Sequence, residues 1–543
     1  MDLSIHSATA PGELGASTLS TGRLASASRF YRCSIDLLLV LPFLVFFFVQ
    51  LAHHQMWRDE TNPWALAIKS RTLGELFYFA RNEAHPYLWH VILWVVTRAT
   101  TSLTALKCVA AIVGALNYLI LAFSSPFSRL EKLLLFSSYY VSFEYAVFAR
   151  MYGVMLLLVL LYLRSRTSHP EKIAINGLWL GVLANADTFG VLLSFALWLE
   201  YAWFLRASSP GWNLRRKVVA VAIAIYAVLL AVSLACLIPT RHVTVKDRNG
   251  GILAHVGERL YLSQALRETA LDSWYPVGPD ARAQYWNVYR SRHLTDGFLA
   301  LVAMAAALQF RREKRLTTML ACYAAMLILF MDAIYMGSSR HYGTMFIAFV
   351  AALWIQRCEA CGRSSSSSIS PHLALVRAPL ALVPLGVCAW AGIVAAYSSW
   401  THPFSQAGAA AQWLRDNHYD RAPLAGTPDY SAVNVAQHLG RPMYFLECQC
   451  ADTFIDLSDR RDNFSEEEIP VRLARAVRQV PLPFLIFVGI RPLTPDELRA
   501  LASLSVQARP LAQFTGAEEA RENFFLYKVN ITPAIPISRG LAP

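Results

Sequence analysis

The sequence predicts an all-α polytopic membrane domain of about eleven transmembrane helices, with surface helices in its first outer loop. A small soluble α/β domain follows it. Three observations carry this prediction. Of the 543 residues, 55% are hydrophobic and only 16% are charged, whereas an ordinary soluble chain carries about a quarter charged residues. Apolar runs of about 15–22 residues, near the length that crosses a bilayer, recur from Ile35 to Tyr397. From about residue 400 the charge density returns to normal and short strand and helix patterns alternate.

Residues 1–34 are rich in Ser, Thr, Ala and Gly and read as a disordered cytoplasmic tail. The run that follows, "IDLLLVLPFLVFFFVQLA", is too long for a signal-peptide core and has no small-x-small cleavage site after it. It is expected to stay as the first span. Further runs lie at 86–98, 103–123, 133–149, 151–163, 173–186, 189–205, 218–238, 294–310, 316–336, 341–356 and 378–398. The basic loops "FSRLEK", "RSRTSHPEK", "RASSPGWNLRRK" and "RREKR" should share the cytoplasmic side with the tail. They do so only if the run at 86–98 does not cross. That run is short, opens at Pro86 and carries His90, so "HPYLWHVILWVV" is expected to lie along the outer surface. The domains are then 1–34 (tail), 35–399 (transmembrane) and 400–543 (periplasmic α/β).

In the last of these, "SQAGAAAQWLRDN" and "SEEEIPVRLARAVRQV" have helical spacing, while "PFLIFVGI" and "NFFLYKVN" read as strands. No Gly-rich phosphate loop opens a helix there, so no nucleotide site is assigned. The net charge of +12 sits in short loops between apolar runs, as membrane orientation requires, and does not indicate nucleic acid. Of nine Cys, Cys108, Cys236, Cys322 and Cys388 lie within apolar runs. Cys358 and Cys361 form one C-x-x-C, half of a usual zinc set. For Cys448 and Cys450, a C-x-C, a disulfide or no bond at all is expected ahead of a metal.

On this topology the polar residues collect on one side. Asp59, Glu60 and His85 fall in the first outer loop. Glu144, Arg150 and Tyr152 fall at the second outer turn, Asn185 and Asp187 at the third, and Arg340, His341 and Tyr342 in "SSRHYG". Each has an ordinary explanation: a solvated Arg58–Asp59 pair, a His85-Pro86 cap, snorkelling arginines, a turn capped by Asn185 and Asp187. Together they suit group transfer. An unpaired carboxylate can take a proton from an acceptor hydroxyl. Arginine forks suit a phosphate that gains charge as it leaves. Tyr and Trp at headgroup depth suit a ligand that is lipid at one end and sugar at the other. The aromatic stretch "DSWYPVGPDARAQYWNVY" in loop 239–293 suits a lid or an interfacial belt.

The order "RDETNPWALA", "EAHPYLWHVILW", "FARMYGVMLLLVLLYL" and "SRHY" resembles the GT-C superfamily of integral-membrane glycosyltransferases. Over roughly residues 35–356 it is similar to the branch with protein-O-mannosyltransferase-like and aminoarabinose-transferase-like bacterial enzymes. The resemblance implies a polyprenyl-phosphate-linked sugar donor, used outside the cytoplasmic membrane with inversion at the anomeric carbon. It implies that Asp59, first of the acidic pair, is catalytic, and that two helices lie on the surface of the first loop. Many relatives carry an acid directly at the second outer turn, where this chain has "ARMYG" with Glu144 upstream. Relatives often have Pro-Pro where this chain has His85-Pro86-Tyr87.

The expected function is inverting sugar transfer to an acceptor hydroxyl by Asp59 and Glu60. Arg150, Arg340, Tyr152 and Tyr342 would hold the donor phosphate. His85, Glu144 and His341 would contact acceptor or sugar. No cofactor is assigned; a divalent metal with His85 among its ligands stays open. The partners are the lipid-linked donor, a lipid, glycan or protein acceptor and membrane lipids, in a multi-pass inner-membrane protein. The alternatives are a transporter or flippase, which the apparent lack of ionisable groups at the inner ends of the spans disfavours, and a non-catalytic binding protein.

Overall fold

A computed structural model describes residues 14–207, 212–238, 262–275, 292–335, 337–363, 371–455, 457, 461–462 and 464–532. Among the described residues, six helical segments are long and apolar enough to cross a membrane: Ser34–His53, Leu103–Ser124, Thr188–Ala207, Arg216–Leu237, Lys314–Ala333 and Leu380–Thr401. The chain is a multi-pass membrane protein. Their outward faces are apolar, with Leu38, Val45, Ile112, Val228 and Leu329 exposed, as helices bathed in lipid require.

Helix α1 (Leu14–His53) contains the first span and reaches back into the expected tail, so residues 14–34 are helical where an irregular segment was expected. The loop after it folds into α2 (Arg58–Lys69), α3 (Leu73–Ala80) and α4 (Leu88–Thr97). At 1.5 Å per residue α4 is roughly 15 Å long, about half the hydrocarbon thickness. Arg98 closes it onto α2 by donating from Nη2 to the Ala67 carbonyl at 2.9 Å.

α5 (Leu103–Ser124) and α6 (Arg129–Ser137) lead into a single π-helical turn, Tyr139–Glu144, and an irregular segment ending at Arg150. α7 (Met151–Ser168), α8 (Ile173–Ala184), α9 (Thr188–Ala207) and α10 (Trp212–Leu237) follow. α11 (Leu262–Leu271), α12 (Arg292–Gln309), α13 (Lys314–Ala333), α14 (Ser339–Arg363) and α15 (Pro371–Thr401) complete the bundle. α14 is its central element. Phe346 to Ile355 are all buried, so it is surrounded on every side. Most of the aromatic stretch proposed as a lid lies outside the described residues. Trp274, within it, is a core residue set edge-on to Phe349 at 5.4 Å.

After α15 the chain builds a three-layer α/β unit. Its sheet has the order β3-β2-β1-β4-β6-β5. β1 (Leu424–Thr427) is parallel to β2 (Met443–Phe445) and to β4 (Phe484–Gly489). β3 (Cys450–Asp452), β5 (Val506–Phe514) and β6 (Phe524–Ile531) add antiparallel neighbours. Strand alternation splits the core in two. Ile486 and Val488 face α16 (Ala407–Asp416) and α17 (Asp429–Leu439). Leu485 and Phe487 face α18 (Ile469–Gln479) and pack in one cluster with Leu501 of α19 (Pro495–Ser503). The helices and strands expected in this region are all present. Cys448 and Cys450 form a disulfide in the β2–β3 turn.

Candidate active site

α2 begins where the chain leaves the first span, and its first turn is held from two sides. On the bundle side Glu60, wholly buried, accepts from His54 Nε2 at 2.8 Å, from the Trp57 amide at 3.1 Å and from the Ala149 amide at 2.7 Å. The last bond ties α2 to the residue before Arg150. Both Glu60 oxygens accept from protein donors and the side chain is wholly buried, so Glu60 is braced toward the bundle, not toward Asp59's partners.

Asp59 is not the unpaired carboxylate that the sequence reading required. Its Oδ2 lies 2.5 Å from Arg150 Nη1 and 3.0 Å from Arg340 Nη2, and its Oδ1 lies 3.7 Å from Arg58 Nε. Burial pushes its pKa up, but Arg150, then Arg340 and Arg58, outweigh burial and hold it at about 2. The two arginines come from far apart in sequence for definable reasons. Arg150 is the extended residue that opens α7. Arg340 stands in the first turn of α14, whose backbone is gripped by one tyrosine of the π turn and the tyrosine that follows it. Tyr145 Oη donates to the Arg340 carbonyl at 2.6 Å and Tyr140 Oη to the Ser339 carbonyl at 3.2 Å. Gly343 makes this approach possible, since a Cβ there would stand 1.9 Å from the Tyr140 ring.

The trio Asp59, Arg150 and Arg340 carries one net positive charge. Arg150 Nε, Arg340 Nε and Tyr152 Oη are buried polar atoms without a hydrogen-bond partner among the described residues. The Tyr152 ring stacks on Tyr145 at 5.4 Å and lies 5.7 Å from the Arg150 guanidinium carbon. Buried donors without partners are costly, so this is a place suited to receive an anion.

The other predicted site residues are arranged differently. Glu144 is buried within electrostatic reach of Arg340 and Arg150 and accepts from Tyr139 Oη at 2.5 Å. His85 lies in the first loop with Nδ1 3.1 Å from Asp187 Oδ1, which links that loop to the α8–α9 turn. His341 accepts the Ser338 amide on Nδ1 at 2.8 Å, capping α14, with its ring 4.8 Å from Phe189. It therefore supports the helix that bears Arg340. Tyr342 has Glu268, Asp272 and Tyr335 for neighbours, with Glu268 on its hydroxyl. Among the described residues no group of three His, Cys, Asp or Glu is arranged to hold a metal ion.

Sequence reasoning missed three contributors. Glu83 accepts from Asn62 Nδ2 at 2.8 Å and His90 Nε2 at 2.6 Å, fastening α2 and α4 together. Arg58, read as half of a solvated pair, is buried and pairs with Glu522, 464 residues away, at 3.3 Å. Asn434 of α17 accepts from Thr61 Oγ1 at 3.0 Å. No local pattern marks partners at such separations.

The opposite end of the bundle also holds ionisable residues, contrary to the expectation from sequence. Arg166 is 16 residues beyond Arg150 along α7, roughly 24 Å. Its Nη2 lies 3.2 Å from Glu200, to which Arg315 Nε also pairs at 2.9 Å. Arg357 pairs with Glu131 at 2.6 Å and Lys132 with Asp36 at 3.1 Å. The pairs were hidden because each spans two separate helices.

No family model matches the chain, and no curated protein matches it. Two solved structures are similar to it, each at 13% sequence identity and covering 91% of this chain and 97% of the other. They are crystal structures of ArnT from Cupriavidus metallidurans, bound to undecaprenyl phosphate (TM-score 0.45) and in the apo state (TM-score 0.47).

Proposed function

We propose that the chain transfers a sugar from a polyprenyl-phosphate-linked donor to an acceptor hydroxyl, with inversion, at the outer face of the cytoplasmic membrane. The observation that carries this reading is the Asp59 carboxylate lodged between Arg150 and Arg340 at one end of an apolar bundle. About eleven spans, with α2, α3 and α4 on the outer surface, satisfy the charge bias of the loops. The Cys448–Cys450 disulfide supports an oxidising compartment for the C-terminal unit.

The donor is a phosphodiester with one negative charge, which matches the net charge of the trio. A carboxylate held near 2 is a poor base at neutral pH. Donor phosphate entering between the guanidiniums draws them from Asp59, and the carboxylate regains proton affinity as they leave. The acceptor oxygen then forms a bond to the anomeric carbon while its proton passes to Asp59. The bond from that carbon to phosphate oxygen breaks, and its electron pair leaves with the polyprenyl phosphate. The charge that develops there falls to Arg150 and Arg340. A single displacement inverts the centre. Arg58 steadies the far oxygen of Asp59, Glu60 holds the turn, and Glu144 lies within electrostatic reach of the arginines.

The test is the mass profile of glycans and glycolipids in a deletion strain complemented with wild type or Asp59→Asn at equal membrane abundance. Wild type should restore a sugar-sized mass difference that Asp59→Asn does not. Equal restoration by both removes Asp59 as the base and moves a second reading ahead: passage of the lipid-linked sugar across the membrane. The paired charges around Glu200 favour that reading, because a translocated headgroup needs polar groups at both ends.

A further inference from the structure

The C-terminal unit reaches into the site through one buried carboxylate. Glu522 is 0% exposed and precedes β6. Its Oε1 accepts from the Arg58 amide and from Arg58 Nη1, both at 3.3 Å. Its Oε2 accepts from Ser405 Oγ at 2.7 Å and Asn434 Nδ2 at 2.8 Å. Asn434 Nδ2 also lies 3.1 Å from the Met56 carbonyl. Residues 56, 58 and 61 of the α2 entrance are thus gripped by the C-terminal unit, while residues 57 and 60 are gripped by the bundle through Glu60. Asp59 stands between the two grips.

We infer that Glu522 is a positioning residue for the transfer reaction, holding Arg58 and through it the Asp59 carboxylate, so that the C-terminal unit completes the active site. The inference rests on the proposed transferase reading. A buried charge persists only where donors converge on it, and four do so here. For folding alone an apolar side chain in this seam would serve as well or better. The carboxylate supplies a fixed direction: two donors come from residue 58 itself, one side chain away from the proposed base. Burial pushes Glu522 up to about 7 although Arg58 pulls it down, so ionising the carboxyl in this seam costs the fold. The other charges facing Arg58 are Glu519 at 4.0 Å and Asp59.

The experiment uses the full chain in lipid nanodiscs with the donor that the mass profile names. Initial rates against donor concentration are measured for wild type, Glu522→Gln and Asp59→Asn, each normalised to folded protein by thermal unfolding. Glu522→Gln should lower kcat fivefold or more with KM within twofold of wild type and the folded fraction unchanged. A smaller fall, or a change confined to KM or to the folded fraction, overturns the inference. Should Glu522→Gln not accumulate, Ser405→Ala, which removes one donor to the same carboxylate, carries the same criterion at twofold. Asp59→Asn separates the two claims. If it transfers at the wild-type rate, Asp59 is not the base and the reading on which the inference rests fails, whereas if it is inactive and Glu522→Gln runs at full rate only the positioning role fails.

Discussion

Replacing Asp59 by Asn should tighten the binding of a bare polyprenyl phosphate while abolishing transfer. The opposite signs follow from geometry. Asp59 and an incoming phosphate compete for the same two guanidiniums, at 2.5 and 3.0 Å from the carboxylate. The ionised form of Asp59 is favoured enough to move its pKa from 3.8 to about 2. At 1.36 kcal/mol per tenfold in proton affinity this is ~2.4 kcal/mol. The side chain is 24% exposed, and solvent screening trims the figure to about 1–2 kcal/mol. Removing the charge should therefore improve phosphate affinity by roughly 5–30-fold. The assay is titration of the purified full chain with a short-chain polyprenyl monophosphate in nanodiscs, with wild type and Arg340→Ala alongside. Arg340→Ala should weaken binding by tenfold or more. If Asp59→Asn binds the phosphate no better than wild type, the carboxylate does not compete for the arginines, and the release step in the mechanism is wrong.

Gly343→Ala should destabilise the bundle by about 2 kcal/mol or more, because the new Cβ would lie 1.9 Å from the Tyr140 ring; thermal unfolding in detergent measures it, and a wild-type melting temperature refutes the close packing. Tyr145→Phe removes the 2.6 Å hydrogen bond to the Arg340 carbonyl, and should cost about 1 kcal/mol of stability and weaken polyprenyl-phosphate binding severalfold in the same titration. Glu447, buried at the end of β2, is pushed up from 4.5 to about 7 by burial and then by Asp429. Its folded pKa exceeds its unfolded one, so the stability linked to its proton is present below 4.5 and is lost as pH rises through about 7. Glu447→Gln should accordingly raise stability by about 1–3 kcal/mol at pH 8 and change little at pH 5; a gain that is equal at both refutes the assignment of that cost to Glu447.

The legible part of the site was its membership. Asp59, Arg150 and Arg340 stood out because ionisable residues at the edges of apolar runs are costly and seldom idle. What was not legible was the pairing. Asp59 was read as free because its neighbours in sequence include a single cation, and the two guanidiniums that clasp it come from residues 150 and 340. Glu60 was read as catalytic because it adjoins Asp59, but a helical turn points adjacent side chains in different directions, so Glu60 faces the bundle. His341 follows Arg340 directly, yet its Nδ1 is taken by the Ser338 amide and its ring packs against Phe189 and Tyr152. Glu522 and Asn434 were invisible: nothing near them marks a contact with residues 56–61.

By itself the sequence determined the two-part architecture, the apolar runs, a helix at 88–97 too short to cross, and the strands and helices of the C-terminal unit. These follow from composition, run length and periodicity, which are properties of neighbouring residues. Tertiary structure alone decided that a proposed base is stored as an ion pair, that the C-terminal unit grips the residue beside it, and that both ends of the bundle carry buried charge. Each of those outcomes depends on which side chains meet across hundreds of residues, and the electrostatic energy of a buried group is set by the partners it meets in space.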